Sequence, residues 1–256
     1  MRLHFTTEAR MYRALLLLII PLQVNAITDI EAKRRNQSAD GWASSINAGF
    51  DAASGNSKKR NWNLGLNTGW QNTDHQVFGW YARTYESVND DSVTDTTFSH
   101  LRYVRHYRET FGQETFLQYE RDPFAALQYR FLAGAGVRFQ YFWQPTQLIR
   151  QGVGLFHEQV EETNGDGAIE AQLTRANLYT HGETPFGLGK LAGTVYLQPS
   201  IDDTEDLRAL GRLSYSVPVA SNTDLSWQWQ ARWDSKPPEG IERRNITTQF
   251  AVSVRF

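Results

Sequence analysis

The side chains best suited to chemistry in this chain are arginines set at alternate positions of apolar runs. Arg130 and Arg138 lie in register with each other among Phe131, Ala133, Ala135, Val137 and Phe139. Arg208 and Arg212 lie the same way among Leu207, Ala209, Gly211, Leu213 and Tyr215. Arg232 and Arg255 take equivalent places near the C-terminus, and Glu120 and Asp234 put acids on the corresponding faces. A guanidinium group stays charged at any working pH and matches carboxylates and phosphates at two points. Two readings follow. A ladder of arginines along an open lumen would favour anions. Alternatively, the same arginines pair with Glu120, Asp234 and Asp51 and fill the lumen with salt bridges. The residues leave both open.

Other chemistry finds little support. Ser99 and His100 are adjacent, and adjacent residues of a strand face opposite ways, so they do not form a nucleophile–base pair. His100 and His106 share a face but lie roughly 20 Å apart along a strand. His75, His157 and His181 are isolated. No G-x-S-x-G, H-E-x-x-H or phosphate-binding loop occurs. The chain has no cysteine, which excludes disulfide scaffolds, thiolate metal sites and iron–sulfur clusters. Gly134, Gly136, Gly152 and Gly154 alternate on one face, where they relieve crowding rather than cradle phosphate. We therefore expect no catalytic residue, no cofactor and no metal. Net charge is -2, from 26 basic and 28 acidic residues. No basic excess points to nucleic acid.

These side chains must be positioned by strands. From Gly41 onward the dominant period is two. Trp62, Leu64, Leu66, Thr68 and Trp70 make one face, with Asn61, Asn63, Gly65, Asn67 and Gly69 on the other. Leu225, Trp227, Trp229, Ala231 and Trp233 alternate with Ser226, Gln228, Gln230, Arg232 and Asp234. Such alternation marks a strand with one apolar and one polar face. Twelve strands are predicted, at 41–52, 59–71, 75–86, 96–108, 114–121, 127–140, 147–160, 168–180, 190–199, 206–217, 223–234 and 243–256. The seventh and eighth alternate poorly, and a bulge or register break is expected there. Most spans run to ~10–13 residues, enough for the ~9–11 of a tilted transmembrane strand and longer than the ~5–6 common in soluble sheets.

Three features assign the apolar face to lipid. Trp42, Trp62, Trp70 and Trp233 sit near strand ends, and Tyr141-Phe142-Trp143 is read as a turn, as in an interfacial aromatic girdle. The polar face is rich in Asn, Gln and Gly. The connections also alternate in character. Long polar loops are expected at Ser87–Thr94, Glu161–Gly167, Ser200–Glu205 and Ser235–Ile241. Tight turns are expected at Asn72–Asp74, Glu109–Gln113 and Pro218–Asn222, with Gly182–Gly189 an exception in length. The fold class is all-β, an antiparallel transmembrane barrel of about twelve strands. A lipid hydrolase of the outer membrane and a secreted β-sandwich binding module are the rivals.

The two ends carry address signals. Arg2, Arg10 and Arg13 precede the apolar run Ala14–Leu22 and the small-residue site Val24-Asn25-Ala26, the order of a cleaved export signal. Residues 1–26 are read as that signal, 27–40 as a periplasmic segment and 41–256 as the barrel. Phe250, Val252, Val254 and Phe256 put apolar residues at every second position up to a terminal Phe. That pattern resembles the strand read by the bacterial outer-membrane assembly machinery. Outer-membrane lipids and that machinery are the expected partners; the residues do not identify a solute.

Gly49-Phe50-Asp51-Ala52-Ala53-Ser54-Gly55-Asn56 and His100-Leu101-Arg102-Tyr103 resemble the bacterial salt-induced outer membrane protein family, defined by a domain of unknown function. So do Gln118-Tyr119-Glu120-Arg121-Asp122-Pro123-Phe124 and Leu132-Ala133-Gly134-Ala135-Gly136-Val137. The resemblance covers roughly 41–256 and is strongest over 115–139. It implies an outer-membrane barrel, with no established activity and no functional residue to carry over. The reading at this stage is a small, anion-preferring channel or a structural envelope protein.

Overall fold

A computed structural model of the chain describes Asp29 and residues 40–144, 146–164 and 167–254. They form one antiparallel sheet whose twelve strands lie side by side in chain order. The strands are β1 (Gly41–Ala53), β2 (Lys59–Gln71), β3 (His75–Val88), β4 (Asp91–Arg108), β5 (Phe111–Asp122), β6 (Leu127–Gln144), β7 (Gln147–Asn164), β8 (Gly167–Phe186), β9 (Gly189–Pro199), β10 (Leu207–Ala220), β11 (Thr223–Asp234) and β12 (Arg244–Val254). A single 3-10 turn, Pro123–Ala125, links β5 to β6. Each expected run is a strand. The proposed signal (1–26), nearly all of the 27–40 segment, Arg255 and Phe256 lie outside the described residues.

The connections divide by end. Among the described residues one end carries the short turns 72–74, 109–110, 187–188 and 221–222, and β6 passes to β7 there as well. The other carries 54–58, 89–90, 123–126, 200–206 and 235–243, and β7 passes to β8 there. Several expectations change here. Ser87–Thr94 is not a long loop. β3 and β4 run on to a two-residue turn at Asn89 (φ 53°) and Asp90 (φ 71°). Positive φ at both central residues suits a hairpin, because it matches the twist of the strands. Glu161–Gly167 is likewise mostly strand. With water on both faces a strand needs no apolar side, so its alternation vanishes from the sequence. Gly182–Gly189 is no exception either, since β8 continues to Phe186 and the turn is Gly187-Leu188. Tyr141 and Phe142 belong to β6 rather than to a turn; the side chain of Trp143 lies outside the described residues.

No register break separates β7 from β8. They pair without a shift from Leu148↔Glu183 to Asn164↔Gly167. The alternation is blurred because the inner face of β7 holds Leu148, Phe156 and Val160 while His157 lies outside. Bulges fall instead in other pairs, among them Glu86/Ser87, His106/Arg108 and Glu120/Asp122.

The polarity of the sheet is inverted. Glu120, Glu158 and Arg175 are completely buried, whereas Leu101, Leu117, Val153, Leu155, Val195 and Ile246 are about half exposed. The sheet curls so that polar faces meet. Tyr179 on β8 donates to Glu114 on β5 at 3.2 Å, and side chains of β6 and β11 line one cavity. Among the described residues no ladder joins β1 to β12.

Candidate functional site

The concave interior is the place where polar side chains converge, and it has three zones. At the long-loop end Glu158 of β7 is the hub. Its Oε1 accepts from Arg130 Nε at 2.7 Å and from Arg208 Nη1; its Oε2 accepts from Arg175 Nε at 2.5 Å. One carboxylate thus serves three guanidinium groups. Asp206 takes the other side of Arg175 through two bonds, at 3.0 and 2.5 Å. Asp234 accepts from Arg208 Nε at 2.9 Å, and Glu120 lies 3.9 Å from Arg130 Nη1. Arg232 lies near enough to Glu120 to interact with it. Arg130, Arg175, Arg208 and Arg232 therefore face Glu120, Glu158, Asp206 and Asp234, with Glu162 3.7 Å from Arg208 Nη2 and Asp122 also acting on Arg232. A small cavity of about 80 Å³ remains beside them, roofed by Pro237, Pro238 and Ile241.

The waist is aromatic. Phe116, Leu132 and Phe156 pack together, as do Tyr179, Tyr196 and Leu210. Glycines make room for these rings. A Cβ at Gly134 would meet the Phe116 ring at 2.5 Å, and one at Gly152 would strike Tyr179. Polar groups thread between the rings. Arg102 donates to Glu114 at 3.2 Å and stacks over Phe116 at 5.4 Å. His100 bonds Gln118 at 2.9 Å, and Gln118 donates to Glu120. His100 points inward, away from Ser99. Arg212 donates to Gln228 at 2.6 Å, and its Nε lies 3.9 Å from the buried carboxylate of Asp29.

The turn end opens into a cup of about 860 Å³, lined among others by Gln76, His106, Gln140, Arg150, Glu183 and Lys190. Below its mouth Arg138 Nη2 donates to Gln140 Oε1 at 3.1 Å, and Arg150 Nε donates to the same oxygen at 2.8 Å.

Of the residues singled out in the sequence, Arg130, Arg208, Arg232, Glu120 and Asp234 come together at the loop end. Arg212 lies apart at the waist, and Arg138 lies toward the cup. Arg255 is outside the described residues. Asp51 is exposed on β1 and is not in the network. Phe250 and Val252 face outward, 71% and 53% exposed; the side chains of Val254 and Phe256 are not among those described. The sequence reading missed Glu158, Arg175, Asp206 and Glu114. Glu158 and Arg175 sit in the two runs with weak alternation. Their only signal is a charge on the same face as a buried aromatic, Glu158 two residues from Phe156 and Arg175 four from Tyr179.

The family model described as "Protein of unknown function, DUF481" matches residues 46–256. The chain belongs to this family. A search of curated proteins finds no match. Two solved structures share part of the DUF481 chain's shape. One is described as the NanC porin in a rhombohedral crystal form, at 6% identity and TM-score 0.49, covering 83% of this chain and 99% of that one. The other is the translocator domain of the autotransporter NalP from Neisseria meningitidis, at 11% identity and TM-score 0.45, covering 86% and 90%.

Proposed function

We propose that the protein is an outer-membrane β-barrel whose strands cross the lipid and whose resting lumen is closed by its own side chains. The inverted polarity carries the reading. A water-soluble sheet does not bury Glu158 and Arg175 while exposing Leu155 and Val153, but a sheet with lipid outside must. In this reading β1 closes on β12, since an open edge in hydrocarbon would leave backbone groups without partners. β1 begins and β12 ends at the short-turn end, so the short turns face the periplasm and the long loops face outward. Phe250 and Val252 then face lipid, in the strand offered to the assembly machinery.

The closed lumen rests on the paired charge cluster and the aromatic waist. Together they leave little room or net charge to pass an ion. The role assigned is structural, in the cell envelope, with conduction requiring rearrangement of the Glu158 hub. Heat-modifiable migration on a denaturing gel and a planar-bilayer recording test both parts. A folded barrel with no steady conductance is expected. A steady anion-selective current in the unmodified protein would replace this reading with the anion channel, and the absence of a compact heat-sensitive form would remove the barrel.

A further inference from the structure

We propose that the turn-end cup binds a small oxyanion, a carboxylate or a phosphate, at the buried guanidinium of Arg138. Arg138 is 2% exposed. Its Nη2 donates to Gln140, a neutral amide, while Nε and Nη1 are buried without a hydrogen-bond partner among the described residues. A buried, unpaired guanidinium is costly, because water is lost and no acceptor replaces it.

The sequence also denies Arg138 an internal acid. Its partners on both neighbouring strands are glycines, Gly112 on β5 and Gly152 on β7. Neither can extend a carboxylate across the ladder. Of the carboxylates described around the cup, Asp74 and Glu109 line it without an ion pair to Arg138, and Glu114 and Glu183 are engaged elsewhere. Glu114 accepts from Arg102 and Tyr179, and Glu183 holds His181 and Lys190.

The cup leads toward the site, and Arg138 lies buried just beneath its lining. Gln140 and Arg150 line the cup, and Arg138 shares the Gln140 oxygen with Arg150. An anion entering between the short turns would meet Arg150, with His106 also in the lining, and would reach Arg138 by displacing the Gln140 amide the two arginines share. It would supply the acceptor that Arg138 lacks, through charge-assisted bonds. In the orientation given above, the cup opens to the periplasm. Binding itself does not depend on that orientation, so it can fail or hold separately from the membrane reading.

The test is calorimetric titration of the folded full chain in detergent with inorganic phosphate and, separately, with succinate. Saturable binding of at least one is expected, weakening with added salt. Arg138→Gln should weaken it about ten- to one-hundred-fold, as expected for loss of charge-assisted hydrogen bonds. Because that variant is buried, Gln140→Glu supplies a second test. It places a carboxylate on both arginines, so the barrel should keep its heat-modifiable fold while losing the anion. Arg60→Gln, exposed at the far end, should bind as the unmodified protein does. Phosphate binding without succinate, or the reverse, would tell which oxyanion the cup prefers and would support the site. Absence of saturable binding, or equal binding by Gln140→Glu, would overturn it.

Discussion

At the scale of single residues, the fold depends most on Glu158. Three guanidinium groups share its two oxygens, and all four side chains are buried. A pair in water contributes little, because solvent already satisfies both charges. Here removal of the acid leaves three buried cations with only their outer partners, Asp206 on Arg175, Asp234 on Arg208 and Glu120 3.9 Å from Arg130. Glu158→Gln keeps the shape and deletes the charge, and should destabilise the protein by about 3–5 kcal/mol. Urea unfolding in lipid vesicles measures this. A loss near zero would mean that the cluster is hydrated rather than buried. The neighbouring Asp234→Asn, half-buried at the rim, should cost less.

At the scale of elements, the hairpins report sidedness. β3 and β4 project to the turn at Asn89-Asp90, where exposed Lys58 and Arg60 approach Asp90. The opposite end has the turn Asn72–Asp74, closed by Asn72 Oδ1 accepting from the backbone of Asp74 and His75. An epitope inserted between Asn89 and Asp90 should be labelled on intact cells. One inserted within 72–74 should be labelled only after the outer membrane is opened. The reverse pattern would turn the barrel over and place the cup outside. The two longest loops are tied together, which keeps them over the charged end. Lys236 Nζ donates to Asp203 at 2.6 Å, and Ser235 Oγ donates to the carbonyl of Glu205 at 2.8 Å. Both Asp203 and Lys236 lie in exposed loops. The lysine holds the Asp203 carboxyl below its usual range. A lowered carboxyl stabilises the tie above the ordinary carboxylate range and releases it only as pH falls through the depressed value. The tie should thus persist at mildly acidic pH.

At the scale of the whole molecule, the inverted polarity makes a direct demand on the outer face. Leu66 of β2 is 41% exposed on that face, and its neighbour Asn67 points to the other. Arginine in the lipid layer costs about 2–4 kcal/mol at mid-depth, whereas the polar interior tolerates it. Leu66→Arg should therefore yield far less inserted, heat-modifiable protein than Asn67→Arg. Equal yields would show that the faces are assigned the wrong way round.

The period of two from Gly41 onward determined the twelve strands, because each strand with an apolar and a polar side writes that difference into alternate residues. It also determined that Arg130, Arg208, Arg232, Glu120 and Asp234 share the inner face, since facing is set by parity along a strand. Parity fails where both faces see the same medium. That is why the ends of β3, β4, β7 and β8 were not legible, and why Ser87–Thr94 read as a loop. Parity is also silent about partners. Glu158 and Arg175 are 17 residues apart in the chain and meet through the register of the β7–β8 hairpin; Arg208 on β10 is 50 residues from Glu158, and only the curl of the sheet brings it to the same point. Whether the inner arginines stand free or meet acids likewise belonged to the tertiary structure. It depends on which charges meet across the interior, and that is fixed by strand stagger and curvature rather than by any local run of residues.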